Sequence, residues 1–273
     1  MIAVSISTTT SRVFNIKKEQ FPIHPNISYF ISIQGNTPDK NNIESYIKNH
    51  LPHFSIYYTN TVGLSNNRNN LLNKIYLNPN IDYIYISDDD IILNISGILN
   101  LKKEMLNNNV SIGVGKVITD SGYFKNYSKK SKKINFINSA KISSIEIMLK
   151  KDFFSSKNIF FDENFGLGSF FESGEEYIFC TDALKNKAKI VYFPIVLCKH
   201  PPISSGQLFY LDNDRIKAKG AMFYRIFRYN DMLFSILFSI KKYQLYKNRI
   251  SFIDFFKLIR EGKKEFLKRK KTF

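Results

Sequence analysis

The stretch Ile81–Asn94, IDYIYISDDDIILN, decides how this chain is read. Its apolar run, Ile81 to Ser87, has strand character and ends on three consecutive carboxylates, Asp88, Asp89 and Asp90. Adjacent like charges repel unless something positive stands beside them. At a strand end the expected partner is a divalent metal with oxygen ligands, which can also hold a phosphate.

Upstream of this stretch, strand and helix signals alternate. Ile2 to Ser7 reads as a first strand, followed by a turn at Thr8 to Ser11. Ile27 to Ile33 reads as a second strand, closing at Gln34-Gly35. Pro38 and Asp39 open a helix to about His50, and Phe54 to Tyr58 is a third strand. Ser65 is a candidate N-cap for a helix from Asn66 to about Leu77, with Leu71, Leu72 and Ile75 on one face. This rhythm predicts an α/β fold with an open, mostly parallel sheet flanked by helices. Ligands of such sheets bind beyond the carboxyl ends of the strands, where the aspartates fall.

Downstream, a helix is expected from Ser96, a strand over Val110 to Ile118, and a basic loop over Lys125 to Lys133 that could form an arm over an anionic ligand. Ile142 to Leu149 alternates as a strand containing Glu146, a residue that could point at an acceptor. Phe160 to Gly168 is a glycine-bearing aromatic turn. Ser173 or Gly174 then caps a helix whose first turn carries Glu175 and Glu176, a placement the helix dipole favours in any case. Strands follow over Lys189 to Phe193 and Val196 to His200, with His200 at a proline-locked turn.

Composition narrows the classes of function. Lys and Arg number 40 against 23 Asp and Glu, a net charge of +17, so anionic partners are favoured: nucleotides, nucleic acid or an acidic membrane surface. Two cysteines, Cys180 and Cys198, are too few for a disulfide framework and are expected as reduced, buried thiols of a cytoplasmic protein. MIAVSISTTTSR is broken by serines and threonines too early to be a signal peptide. The longest late apolar run, Met232 to Ile240, is far short of the roughly 20 residues a membrane span requires. Asp214 to Phe273 is amphipathic and basic. It is expected as a helical appendage to a catalytic domain over 1–213, with part of it able to lie on an anionic membrane surface.

Together the acids suggest transfer of a sugar from a nucleotide donor. That chemistry requires the leaving diphosphate to be neutralised and an acceptor hydroxyl to be deprotonated. Asp88 to Asp90 suit the first task, with His200 completing a metal shell, and Glu175 or Glu176 suits the second. Arg68 could reach a phosphate or the base.

The ordered set GLSNNRNNLL, DYIYISDDD, FDENFGLGSFFESGEEYIFCTDAL and IVYFPIVLCKHP resembles the family 2 glycosyltransferases of the GT-A fold, especially bacterial enzymes of surface-polysaccharide and lipopolysaccharide assembly. The resemblance covers about Met1 to Pro202. It implies Asp88 as a ribose or metal contact and Asp90 as the ligand of Mn or Mg. Asp89 lies between them on the donor. Glu176 falls at the catalytic base, Glu175 at an acceptor contact, His200 at a further metal ligand and Arg68 at a nucleotide contact. Inversion at the anomeric carbon is implied as well. The implied partners are a nucleotide sugar, UDP-linked for preference, and a glycan or lipid-linked glycan acceptor at the inner face of a membrane. Nucleic acid is not among them.

The sequence also departs from the family. IQGN replaces the acidic turn that holds the nucleobase in many members, leaving Gln34 and Thr8 as the candidate nucleotide contacts, and Glu176 stands where Asp is commoner. Without tryptophan the motif of processive synthases is missing, which favours transfer of a single sugar. Two other classes fit parts of the pattern. A haloacid dehalogenase-type phosphatase uses the same Asp-x-Asp, but at the end of its first strand. A basic nucleic-acid binder would suit the charge, but an acidic triplet opposes phosphate unless a metal intervenes.

Overall fold

The computed structural model describes residues 1–36, 40–201 and 209–270. Four parallel strands form its centre. They are β1 (Ile2–Thr9), β2 (Ile27–Gln34), β3 (Phe54–Thr59) and β4 (Tyr83–Asp88), in the order β3-β2-β1-β4. Between them run helices α1 (Lys40–His50) and α2 (Leu64–Tyr76). The predicted opening at Pro38 and Asp39 lies outside the described residues.

The second half completes the sheet. After the two-residue β5 (Ile92–Leu93) come α3 (Ile95–Asn107), β6 (Ile112–Thr119), β7 (Gly122–Tyr123) and β8 (Lys132–Lys133). β9 (Ile147–Lys150), α4 (Lys151–Ser156), α5 (Glu175–Lys185) and β10 (Ile190–Lys199) follow. β9 lies between β4 and β6, antiparallel to both, and β10 runs parallel to β6. Residues alternate across the strands, so the sheet buries both faces. Ile43 and Ile47 of α1 and Ile98, Leu101 and Met105 of α3 cover one face. Leu71, Leu72 and Ile75 of α2 and Phe179, Cys180 and Ala183 of α5 cover the other. Cys180 and Cys198 are free and buried, and burial pushes both thiols up.

Several local expectations are corrected. α2 begins at Leu64 behind Gly63, not behind Ser65, whose hydroxyl instead donates to the Phe165 carbonyl at 2.5 Å. α3 is capped by Asn94, whose side chain accepts from the Gly97 amide. The predicted strand from Ile142 is a 3-10 turn over Ser144–Glu146 before the short β9. Glu146 does not face an acceptor: it is buried and receives bonds from Lys125, Tyr127 and the Ser143 amide. Lys125 spends its ammonium on the Lys141 carbonyl, Ser143 and Glu146, which ties the start of the basic loop to the 3-10 turn. The two late strands are one, β10, with register shifts on either side of Val196 just after Pro194.

Three helices follow: α6 (Asn213–Phe227), α7 (Asp231–Tyr246) and α8 (Phe252–Lys270). α6 lays Ala218, Ala221 and Met222 against Tyr177 and Ile178 of α5. α8 buries Phe255, Ile259 and Phe266, while Phe252 and Ile253 remain exposed. Among the described residues no helix is long and apolar enough to cross a membrane.

α6 and α8 cross at reciprocal glycines. A Cβ on Gly220 would stand 1.8 Å from the Ile259 carbonyl oxygen, and one on Gly262 would stand 1.9 Å from that of Lys217. Gly220→Ala should gain about 1 kcal/mol of helix propensity. Overpacking against a backbone that cannot rotate away should cost about 3 kcal/mol, so the sum is destabilising. Urea unfolding checks this, and a stabilised variant would refute the close crossing.

Candidate active site

The parallel strands deliver their last residues to one edge. Ser7 of β1 pairs with Asp88 of β4, and Thr9 of β1 with Gln34 of β2. Above this edge is a cleft of about 840 Å³ whose lining includes Thr8, Arg12, Gln34, Arg68, Asp88–Asp90, Glu175, Glu176, His200 and Lys219. All nine residues expected to form the site, distant in sequence, thus line one cavity. Arg12 and Lys219 join them.

α2 positions Arg68 although its asparagines are indifferent helix formers. Their amides are used as ties. Asn67 donates to the Thr8 carbonyl at 2.9 Å. Asn69 both donates to the Phe161 carbonyl and accepts from the Phe161 amide, each at 2.9 Å. Asn70 donates to Ser32 at 2.8 Å. These bonds fix α2 to β1, to β2 and to the aromatic turn before α5, so Arg68 enters the cleft from a rigid support.

Arg68 is 1% exposed and joins the two acidic groups of the site. Nη2 donates to Asp88 Oδ1 at 3.1 Å and to Ser144 Oγ at 2.7 Å. Nη1 lies 3.5 Å from Glu175 Oε1 and 3.9 Å from Glu176 Oε1. Burial alone would lower its affinity for the proton, but Asp88, Glu176 and Glu175 outweigh it and the guanidinium stays charged. Its second partner set makes Arg68 a bridge between carboxylates as well as a possible nucleotide contact.

The three aspartates have different environments. Asp89 is buried, with its carboxylate held by Arg12 and by Thr8 Oγ1 at 2.5 Å, while Gln20 secures its carbonyl at 3.3 Å. Asp89 and Thr8 thus satisfy each other. Asp90 accepts from Arg12 through Oδ2 at 3.0 Å, but its Oδ1 is buried without a hydrogen-bond partner, 3.5 Å from His200 Nε2. His200 Nδ1 lies 2.5 Å from the Pro201 carbonyl, and in the neutral tautomer that donates this bond the Nε2 lone pair faces Asp90. Two acceptors facing each other are the donor set a cation would satisfy, and a histidine oriented through its other nitrogen is usual for a ligand. Among the described residues no three His, Cys, Asp or Glu side chains converge into a ready metal cluster. A metal here would take its remaining ligands from substrate oxygens and water, as Mg commonly does.

Glu175 and Glu176 open α5 behind Gly174, whose φ of 103° places it in the left-handed region. Glu175 is buried and is pushed up to about 8 by burial and by Glu176, with Arg68 and Lys219 pulling the other way. Burial and Glu176 thus both favour its protonated form. Glu176 is 22% exposed to the cleft. Lys219, on α6, donates to Ser173 at 3.1 Å, and burial lowers its proton affinity against the pull of Glu175 and Glu176. Gln34 presents a buried Oε1 with no hydrogen-bond partner at the far side of the same cleft.

Arg12 and Lys219 were missed in the sequence reading. Arg12 follows the first strand in a segment with no periodic signal, and the expected positive partner of the aspartate triplet was a divalent metal rather than a side chain. Lys219 lies in the basic tail, one lysine among many.

No family model and no curated protein matches the chain. Solved structures do. The S. aureus TarS 1–349 structure in complex with UDP-GlcNAc superposes with a TM-score of 0.60 at 12% identity, covering 98% of this chain and 91% of that one. TarS 1–349 in complex with UDP gives 0.59 at 12% identity over 91% and 73%. The mannosyltransferase PcManGT from Pyrobaculum calidifontis, in complex with GDP-Man and Mn2+, gives 0.55 at 11% over 83% and 64%. With its mostly parallel sheet, its flanking helices and these structural neighbours, the chain has the GT-A type of glycosyltransferase fold.

Proposed function

We propose that the protein transfers one sugar from a nucleotide-diphosphate sugar, UDP-linked for preference, to a hydroxyl of a glycan or glycolipid acceptor, with the aid of Mn or Mg. One observation carries this reading. The cleft joins a metal-suited pair, Asp90 and His200, to a carboxylate pair, Glu175 and Glu176, with Asp88 and Arg68 between them. The bound nucleotides of the neighbours, UDP, UDP-GlcNAc and GDP-Man, support the choice of donor.

On this reading Asp90, His200 and Asp88 would hold a divalent metal, which when bound would supply positive charge toward a departing diphosphate. Arg68 carries a fixed charge in the same direction and keeps Asp88 in place. Gln34 Oε1 accepts from an imide or amino N–H of the nucleobase, the donor that its free lone pairs lack. Thr8 and Asp89 shape the donor side through their mutual bond and Arg12. Glu176, the more exposed acid, takes the acceptor proton, and direct displacement inverts the anomeric centre. Glu175, neutral and buried beside it, is suited to donate a hydrogen bond to the acceptor.

Thermal unfolding with a panel of nucleotide sugars and Mn or Mg tests the assignment. A donor at about a hundred times its Kd adds about 2.7 kcal/mol. For a chain of this size that is a rise of about 5–8 °C in Tm. A UDP-sugar should give this rise and be slowly hydrolysed. No response to any nucleoside diphosphate overturns the reading.

A further inference from the structure

α7 turns an apolar stripe outward. Its inward face mixes Asp231, Ser235 and Ser239, all buried, with Phe234, Phe238 and Tyr246, which pack against α6 and α8. Asp231 accepts from Arg260 at 2.6 Å and from Lys263 at 2.8 Å, both on α8. Ser235 and Ser239 return their hydroxyls to the carbonyls four residues earlier. The outward face holds Met232, Leu233, Leu237, Ile240 and Tyr243, between 41% and 60% exposed. They recur at spacings of three and four and so form one continuous stripe. Tyr229, fully exposed, stands just before the helix. Large apolar side chains left exposed in one contiguous stripe mark a contact surface.

The charge around the stripe identifies that partner. From residue 228 to 270 the chain has twelve Lys and Arg against four Asp and Glu. Three of the four acids are already paired: Asp231 as above, Asp254 with Lys257 and Glu265 with Lys217. Lys241 and Lys247 are exposed at the rim. A second copy of the chain would bring this basic rim against itself. A bilayer of anionic lipid offers hydrocarbon for the leucines, phosphate for the lysines and an interface for the tyrosines.

We infer that the outward face of α7 docks the protein on an anionic phospholipid bilayer, lying in the plane of the headgroups. Phe238, on the inner flank of the same helix, lines the active cleft, so the docked helix is also a wall of the site. Resting on the transferase reading given above, this placement assigns the acceptor to the lipid-linked class. The docking itself does not depend on that reading.

The test is co-sedimentation of the full chain, without nucleotide, with vesicles of equal phosphatidylglycerol and phosphatidylcholine. Pure phosphatidylcholine vesicles and raised salt serve as controls. Binding should favour the anionic vesicles at least tenfold and weaken with salt. Each lysine removed in Lys241→Glu and Lys247→Glu should cost about fivefold. The combined Leu233→Glu, Leu237→Glu and Ile240→Glu variant should lose at least about tenfold in partition, since each leucine loses its burial in hydrocarbon. Its Tm and its nucleotide response should match the parent. Equal sedimentation of that variant with the parent overturns the docking, as does equal affinity for neutral vesicles. A dimer that forms without vesicle binding and is lost in the same variant reassigns the face to a second copy. Vesicle binding without any nucleotide response leaves the docking standing and removes the transferase reading alone.

Discussion

Glu176→Gln should lower the rate of sugar transfer by about 10²–10⁴-fold, the usual contribution of a positioned general base. Donor affinity should change little, so the loss falls on kcat. The amide keeps the shape of the acid and removes only its ability to take a proton. Arg68 retains Asp88 and Glu175 as partners, and the 3.9 Å contact to Glu176 is the loosest of its three carboxylate contacts. Stability should therefore hold. Glu175→Gln provides the contrast. Glu175 is pushed up to about 8, chiefly by burial, which favours its protonated form at pH 7. A glutamine there copies the state already present, and activity at neutral pH should fall by less than about tenfold, the loss of one hydrogen bond of ~1 kcal/mol. Steady-state kinetics on the two variants separates the roles. An inactive Glu175→Gln beside an active Glu176→Gln would exchange the assignments.

The second large effect is expected at Asp90. Asp90→Asn should abolish the added thermal stabilisation that Mn or Mg gives with a nucleotide sugar. Transfer should fall by about 10³-fold, the equivalent of the several kcal/mol a metal contributes to a leaving phosphate. The fold should persist: Asp90 Oδ1 has no hydrogen bond to lose, and Arg12 keeps Asp89. Asp89→Asn should show the opposite pattern. It breaks a buried charged hydrogen-bond set with Thr8 and Arg12 and should cost about 2–3 kcal/mol of stability. Calorimetry of both variants with and without metal distinguishes a ligand from a strut. Full metal response in Asp90→Asn would remove Asp90 from the metal site.

The carboxyl-end edge of the sheet was legible because its signals are local. β1 to β4 announce themselves by apolar runs, the helices between them by spacing, and the aspartates by following the fourth run without a break. Glu175 and Glu176 were legible as the first turn of a helix capped by Ser173 or Gly174, and Gly174, at a φ of 103°, makes the turn into α5. β9 was poorly bounded because four residues between a 3-10 turn and α4 carry too little pattern. Its place between β4 and β6 is a matter of pairing, which sequence order does not encode.

Residue types and their spacing thus determined the α/β order, the strand that ends in acids and the helix that begins with them. Only the tertiary structure decided what surrounds each acid. Asp88, Asp89 and Asp90 are identical in sequence terms. Packing sets one against Arg68, buries one under Thr8 and Arg12, and leaves one with an open oxygen beside His200. The same holds for α7. Composition marks the tail as amphipathic and basic, but the inward packing of Phe238 and Tyr246 and the salt bridges of Asp231 to α8 select which of its side chains stay exposed. Charge and burial act through distances between residues far apart in the chain, and only the fold sets those distances.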